Sequence, residues 1–351
     1  MEKKVLLGMS GGVDSSVSAI LLKEAGYEVI GCTMKFFQDN KQDKSIEDAK
    51  KVCDKLGINH IVIDCTEEFK CKVINNFISQ YLDAKTPNPC VECNKYLKFG
   101  VFLEKARDFG CDYISTGHYA KLEFSNKYNQ YVLKKSNNIG KDQSYFLYAI
   151  PKEILANIIL PLENIENKND VRDMAKRYNL EVYEKKDSQE ICFIEDNDYG
   201  RFLEENLNTL EPKGNIVLED GQVLGKHRGL IYYTIGQRKG LGISYKEPLY
   251  VTRLDKEKNE VVVGVESDLY ESEVLANDIN ILVDINEDKP IEVFAKIRYR
   301  AKEEKGVLYL NKDKTARVIF KNPQRAVTPG QSIVFYDKEG IVIGGGKIIN
   351  R

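Results

Sequence analysis

Apolar and polar positions alternate in blocks along the first half of the chain. Short apolar runs near 4–8, 27–34, 59–64 and 112–116 read as buried strands. Between them, stretches near 15–25, 45–56, 66–84 and 95–109 carry apolar residues at helical spacing. Strands separated by helices of this length predict an α/β fold built on a doubly wound parallel sheet. Ser45-Ile46-Glu47-Asp48 has capping-box spacing and predicts a helix start, and Gly57 predicts its end. Pro87-Asn88-Pro89 predicts a rigid turn, because two prolines two apart cannot continue a helix. The next helix is then expected to begin at Cys93-Asn94-Lys95.

The pattern changes in the second half. A helical insertion is expected near 161–180, belonging to the first domain or to the one that follows. Beyond Asn197, short β-runs with glycine turns follow at Gly214–Leu218, Gly221–Leu224, Gly229–Ile235 and Leu249–Asp255. Further runs at Ile291–Arg298, Gly306–Leu310, Ala316–Phe320, Ser332–Tyr336 and Ile341–Ile343 suggest a small β-barrel. The 351 residues exceed one ordinary core. We expect a catalytic domain at 1–196, a small central β-rich domain at 197–272 and a C-terminal β-barrel at 273–351.

The chemistry starts where the first strand ends. Ser10-Gly11-Gly12-Val13-Asp14-Ser15-Ser16 joins an apolar strand to a helix. Successive N–H groups in such a turn form a nest for an anion, and the helix dipole adds positive potential. The loop lacks the lysine of the GxxxxGK[ST] nucleotide loop. SGGxDS instead resembles the PP-loop of the ATP pyrophosphatase superfamily, whose members cleave ATP to AMP and pyrophosphate. Ligands of open parallel sheets bind beyond the carboxyl ends of the strands. Thr33-Met34 and Thr116-Gly117-His118-Tyr119 fall there as well. Met34 suits either an adenine face or the core, and His118 either a helix cap or a ligand contact.

Composition narrows the class. No apolar run is long enough to span a membrane and no signal peptide is evident, so a soluble cytoplasmic protein is expected. The net charge of −2 is neutral on nucleic acid, but its distribution is uneven. Residues 291–351 hold 13 Lys and Arg against 6 Asp and Glu. Lys226, Arg228, Arg238 and Lys239 lie in a stretch, 221–245, without acids. Basic surface confined to the second half fits a polyanion footprint. Of eight cysteines, Cys32, Cys53, Cys65, Cys71 and Cys111 read as small buried hydrophobes. Cys90, Cys93 and Cys192 stand in polar, motif-like surroundings. A lone CxxC is only half of a zinc site. At a helix start, Cys93 would have a lowered thiol pKa.

Taken in order, SGGVDSS, NPCVECNKYLKF, STGHYA, KDQSYFLY, DSQEICFI, YTIGQRKGLG and RYR run over nearly the whole chain and resemble the tRNA-specific 2-thiouridylases. The resemblance implies ATP binding by Gly8, Met9, Ser10, Gly11, Gly12, Val13, Asp14 and Ser15, with Met34 and Gly117. It implies Asp14 as a catalytic residue that orients the loop or holds Mg2+, Cys93 as the nucleophile and Cys192 as the persulfide-bearing cysteine. Asn88, Pro89 and Cys90 would lie by the target base. His118, Lys141, Asp142, Gln143, Tyr299, Arg300 and Gln331 would contact tRNA. The reaction implied is adenylation of the C2 oxygen of the wobble uridine, then replacement by sulfur, with a transient Cys93–Cys192 disulfide. A cysteine desulfurase or sulfur-relay protein would be the donor; neither a membrane nor DNA is an expected partner.

One position departs from the family. Many members carry aspartate where this chain has Cys90. Three thiolates at one site are enough to hold a 4Fe-4S cluster with one iron left open, the mode of some related tRNA thiolases. Cys90, Cys93 and Cys192 are therefore alternative cluster ligands, and Cys90 tilts the expectation slightly towards the cluster. The rival function is a different PP-loop adenylating ligase or amidotransferase, which would need neither the β domains nor the paired cysteines.

Overall fold

The computed structural model describes residues 3–185, 191–194, 198–207 and 212–349. Its first layer is a parallel sheet of β1 (Lys4–Gly8), β2 (Glu28–Lys35), β3 (Asn59–Asp64) and β4 (Tyr113–Ser115). An antiparallel hairpin, β5 (Lys121–Ser125) and β6 (Gln130–Lys134), has no counterpart in the expected elements. It precedes β7 (Ile158–Ile159), which joins the sheet beside β4. The strand order is β3-β2-β1-β4-β7. The order reverses between β1 and β4, which opens a crevice at their carboxyl ends.

Strand alternation splits β1 between two cores. Val5 and Leu7 pack with Val17 and Ile20 of α1 (Val13–Glu24) and Val52 of α2 (Asn40–Leu56). Leu6 faces the opposite core with Phe69, Leu97 and Phe102. The second helix starts earlier than the capping box predicts. Asp39 is the N-cap, its Oδ1 accepting from Gln42 N at 2.6 Å. Ser45 lies inside the helix, donating to the Lys41 carbonyl. Gly57 ends it in the left-handed conformation, φ 63°, as expected.

The helical blocks that follow are interrupted. α3 (Thr66–Phe69) and α4 (Asn75–Leu82) flank a π-helical turn, as do α5 (Pro89–Cys93) and α6 (Phe102–Asp108). The expected helix start at Cys93 is four residues late. Pro89 occupies the first turn of α5, where its missing N–H costs nothing. Val171 and Ala175 of α7 (Lys168–Arg177) pack in the same core as α1, so the helical insertion sits on the parallel-sheet layer.

After α8 (Tyr199–Asn206) comes a sheet of β8 (Gly214–Leu218), β9 (Val223–His227), β10 (Tyr250–Asp255) and β11 (Glu260–Gly264). Its order is β10-β11-β8-β9. The run 229–235, expected as a strand, instead makes a 3-10 turn at Leu230–Tyr232 after Gly229 at φ 141°. The six strands β12 (Tyr270–Ile281), β13 (Ile291–Lys296), β14 (Glu304–Leu310), β15 (Ala316–Arg325), β16 (Ser332–Tyr336) and β17 (Val342–Ile348) close into the barrel.

The barrel is not a detachable appendage. Val334, Tyr336 and Val342 share a core with Tyr145 and Tyr148. Tyr145 donates to the Ser332 carbonyl at 2.8 Å, and the Asn280 amide donates to the carbonyls of Tyr148 and Ile150. Gly345 leaves room for the Tyr148 ring, where a Cβ would come within 2.6 Å of it. Cutting the chain after Leu275 would uncover this interior. Single substitutions, not truncation, are the way to probe the barrel.

Candidate functional site

The PP-loop segment is organised by its own hydroxyls. Gly12 is the N-cap of α1, extended at φ −101°, and Gly11 takes φ 68°. A Cβ at Gly11 would meet the Ser45 carbonyl oxygen at 2.5 Å, so only glycine fits both the space and the backbone conformation. Ser10 N donates to Ser15 Oγ at 3.2 Å, which donates to the Gly12 carbonyl. Ser16 Oγ is buried and donates to the same carbonyl at 2.8 Å. That hydroxyl braces the loop from below, and Ser10 is left at the surface. Met9 and Val13 are buried, so what they offer an anion is backbone. Met34 is also packed in the core.

The loops after β1 and β4 touch at the switch point. Gly117 lies so close that a Cβ would meet Asp14 C and Ser15 N at 3.0 Å. Tyr119 donates to Asp14 Oδ1 at 2.7 Å. Lys168 Nζ, from the start of α7, reaches both Asp14 oxygens at 2.5 and 2.6 Å. Lys185 Nζ donates to the Gly11 carbonyl at 2.7 Å and to Asp48 at 2.5 Å. The loop without a lysine thus has two ammonium groups at its rim. Sequence reasoning missed both, since no local pattern links positions 154 and 174 residues apart.

Asp14 does not stand as a vacant metal ligand: both oxygens are engaged. Among the described residues, no three His, Cys, Asp or Glu side chains converge so as to hold a metal ion.

All eight cysteines are free. Cys93 is buried, while Cys90 and Cys192 keep solvent access. Cys192, Cys90 and the buried Cys65 all act electrostatically on Cys93, so the fold brings the three motif thiols into one neighbourhood together with Cys65. Cys192 is held there by Phe193, whose ring packs edge-on against Phe69 and Phe77 and tilted against Phe202. The preceding motif residues Asp187, Ser188, Gln189 and Glu190 lie outside the described residues. A cavity of about 190 Å³ lined by Phe37, Lys41, Cys192 and Phe202 opens beside the sulfur.

The expected low pKa of Cys93 is overturned. α5 begins at Pro89, so Cys93 sits a full turn inside, away from the helix N-terminus. Burial pushes its thiol up to about 12; Cys192 keeps an exposed edge, but the side chains packed around its sulfur still desolvate it and push its thiol up to about 11. Lys98 opposes burial at Cys90, Cys93 and Cys192, and is a third residue missed from the sequence. It falls in the π-helical stretch Asn94–Val101, a geometry frequent at functional sites. Cys93 should therefore resist alkylation at pH 7, because only the thiolate reacts. Between pH 7 and 11 its rate with iodoacetamide, followed by peptide mass, should rise about tenfold per pH unit. Labelling at pH 7 as fast as an exposed thiol would refute this burial effect.

The remaining expected residues divide into two groups. Asn88 is half-buried beside exposed Cys90, Pro89 is buried, and Arg300 is exposed. Tyr299 is half-buried against Phe146, ring centroids 4.4 Å apart. The others brace the fold. Buried Asp142 accepts from Ser136 N, Ser144 N and Ser144 Oγ. Gln143 Oε1 accepts from Tyr119 N at 2.9 Å, and Lys141 is half-buried. His118 Nδ1 bonds Thr116 Oγ1 at 2.8 Å, and burial pushes its imidazole well down, so it is neutral. Gln331 donates to the Thr86 carbonyl, tying the barrel to the Pro87-Asn88-Pro89 turn. A second tie, Lys347 to buried Glu92 at 3.0 Å, escaped sequence reasoning.

A parallel sheet with a glycine nest at its switch point and free thiols gathered on the same domain defines a PP-loop nucleotide-hydrolase-like domain carrying two β domains. Family models agree along the chain: a "tRNA methyl transferase HUP domain" over residues 3–196, a "tRNA methyl transferase PRC-barrel domain" over 200–265 and an "Aminomethyltransferase beta-barrel domain" over 271–348. The tRNA-specific 2-thiouridylase MnmA of Clostridium botulinum (strain Alaska E43 / Type E3) is 49% identical over 357 residues, covering 99% of this chain and 98% of that one. The MnmA of Acetivibrio thermocellus is 48% identical, covering 99% of both chains. The chain belongs to the tRNA-specific 2-thiouridylase family. A solved U34-tRNA thiolase, NcsA from Methanococcus maripaludis with its 4Fe-4S cluster, matches 51% of this chain and 58% of its own at 21% identity and TM-score 0.34. That likeness is too slight to bear on the site. Among the described residues no helix is long and apolar enough to cross a membrane.

Proposed function

We propose that this protein is an ATP-dependent tRNA-uridine 2-sulfurtransferase acting on the wobble uridine. The observation that carries the reading is one fold bringing an intact phosphate nest and the Cys93–Cys192 neighbourhood to the same sheet. The C2 oxygen of uracil is a poor leaving group. Its attack on the α-phosphorus of ATP forms an O–P bond and expels pyrophosphate, whose oxygens lie against the Gly11–Gly12 N–H groups. The adenylate remains on the C2 oxygen and leaves as AMP only when sulfur bonds to that carbon.

Sulfur arrives as a persulfide on Cys192, supplied by a cysteine desulfurase or relay protein. Its terminal sulfur attacks C2. Cys93 then attacks the Cys192 sulfur, forming a Cys93–Cys192 disulfide and leaving the other sulfur on carbon. Two electrons from a dithiol reset the pair. No step passes through a metal cluster. Cys90, exposed at the start of α5, borders the base-binding side with Asn88 and Pro89. To reach them the uridine must leave the anticodon stack. We assign ATP binding to residues 8–15, Met34 and Gly117, and divide the chain at 196/197, outside the described residues, and at the start of β12, Tyr270, since the expected 272/273 falls inside that barrel strand.

tRNA binding falls to the exposed basic residues, Arg238 and Lys239 of the central domain and Arg300 of the barrel. The basic excess of the barrel is partly spent on ion pairs: Lys347 pairs with Glu92 and Arg325 with Glu266. Replacing Arg238, Lys239 and Arg300 together by glutamine should weaken tRNA binding and flatten its salt dependence by about three phosphate contacts. Filter binding across a salt series reads both, and an unchanged slope would remove these residues from the interface. The function itself is tested by tRNA-dependent pyrophosphate release together with mass analysis of the product nucleoside. Pyrophosphate without 2-thiouridine would leave only an adenylating enzyme.

A further inference from the structure

Two lysines bracket the PP-loop. Lys168 is the first residue of α7, where Asn167 caps by accepting from Asn169 N. A cation there opposes the helix dipole, which favours carboxylates in the first turn. The site gains from it instead: the Lys168 side chain is 12% exposed, clasped by both Asp14 oxygens, with its ammonium 5.5 Å from the centre of the Tyr119 ring. Lys185 approaches from the other side, on the Gly11 carbonyl and Asp48. Both ammonium groups therefore stand within hydrogen-bond reach of atoms of the loop itself, at either end of the glycine nest.

We propose that Lys168 and Lys185 are the phosphate-neutralising residues of this ATP site, replacing the lysine that the loop lacks. The inference rests on the adenylating reading above. With no nucleotide bound, Asp14 and Asp48 balance the two positive charges and keep both side chains at the rim. A triphosphate carries more negative charge than either carboxylate, and each ammonium turns a donor towards it. When the uracil oxygen bonds to the α-phosphorus, the bond from that phosphorus to the bridging oxygen breaks and its electron pair leaves with pyrophosphate. Charge grows on the leaving group, and a fixed ammonium stabilises it more than it stabilises bound ATP.

The test uses the full-length protein. Lys168→Gln should lower the kcat of tRNA-dependent pyrophosphate release about 100-fold, the scale seen when one preorganised charge-stabilising donor is lost. Its affinity for inorganic pyrophosphate, by calorimetry, should fall at least tenfold while tRNA affinity stays within twofold. Lys168→Arg should recover part of kcat. Lys185 is more exposed, and Lys185→Gln gives an independent arm with the same expected loss of pyrophosphate affinity should Lys168→Gln not fold. If the folded variants melt at lower temperature yet keep wild-type kcat and pyrophosphate affinity, the lysines are only structural ties and the proposal fails. If the wild-type protein itself releases no pyrophosphate with tRNA, the adenylating reading fails first.

Discussion

Replacing either Cys93 or Cys192 by alanine should abolish 2-thiouridine formation, by at least about 1,000-fold, the scale on which loss of a nucleophile is felt. The two variants should fail at different points. Without Cys192 no persulfide forms, so radiolabelled sulfur from a desulfurase stays off the protein. Without Cys93 the persulfide forms on Cys192 and attacks C2, and the reaction stalls as a covalent Cys192–S–S–tRNA adduct, because nothing attacks the inner sulfur. Cys93 is buried in the core that also holds Leu97 and Phe102, so truncation to alanine removes packing as well. Cys93→Ser, which nearly conserves volume, separates chemistry from stability. Cys90→Ala should keep much of the activity, since Cys90 exchanges no sulfur in the route supported here. Iron in the anaerobically purified, active protein, lost with activity on Cys90→Ala, would overturn that route in favour of a cluster.

Asp14→Ala should reduce pyrophosphate release about 1,000-fold while leaving a folded protein. The aspartate lies inside α1 and is not its cap, a role that falls to Gly12, so the helix start survives. The lost contacts are the Tyr119 hydrogen bond and the Lys168 ion pair. Contacts of this type are worth about 1–3 kcal/mol each, against roughly 5–15 kcal/mol for a typical domain. Three segments meet at this carboxylate: the loop after β1, the loop after β4 and the start of α7. Its removal frees Lys168 from the rim and leaves Tyr119 without its acceptor, so catalysis suffers far more than stability. Asp14→Asn, which still accepts from Tyr119 but cannot neutralise Lys168, should behave nearly as badly. Circular dichroism checks the fold, and near wild-type pyrophosphate release from either variant would contradict the assignment of the loop.

The parallel-sheet strands and the phosphate loop were legible because both are local. Buried strands declare themselves as short apolar runs, and a nest needs only consecutive glycines before a helix. The barrel was legible for the same reason, although β12, which closes it by pairing with both β15 and β17, was not among the runs read. Helix starts were read less well. Ser45 offered a capping pattern, but Asp39 captured the N-terminus because its carboxylate reaches Gln42 N first along the chain.

By itself the sequence determined which chemistry is available: a nest for phosphate, three thiols in polar motifs and a fold class that puts ligands at strand ends. Only the tertiary structure decided how those groups are tuned. It started α5 at Pro89, which moved Cys93 into the interior and raised its pKa where a helix N-terminus would have lowered it. It turned Asp142, Gln143 and Gln331 inward as braces, because buried polar side chains must find partners within the protein. It also brought Lys168 and Lys185 onto the PP-loop. Electrostatic partners are chosen by distance in space, and a spacing of more than 150 residues leaves no periodic trace in the chain.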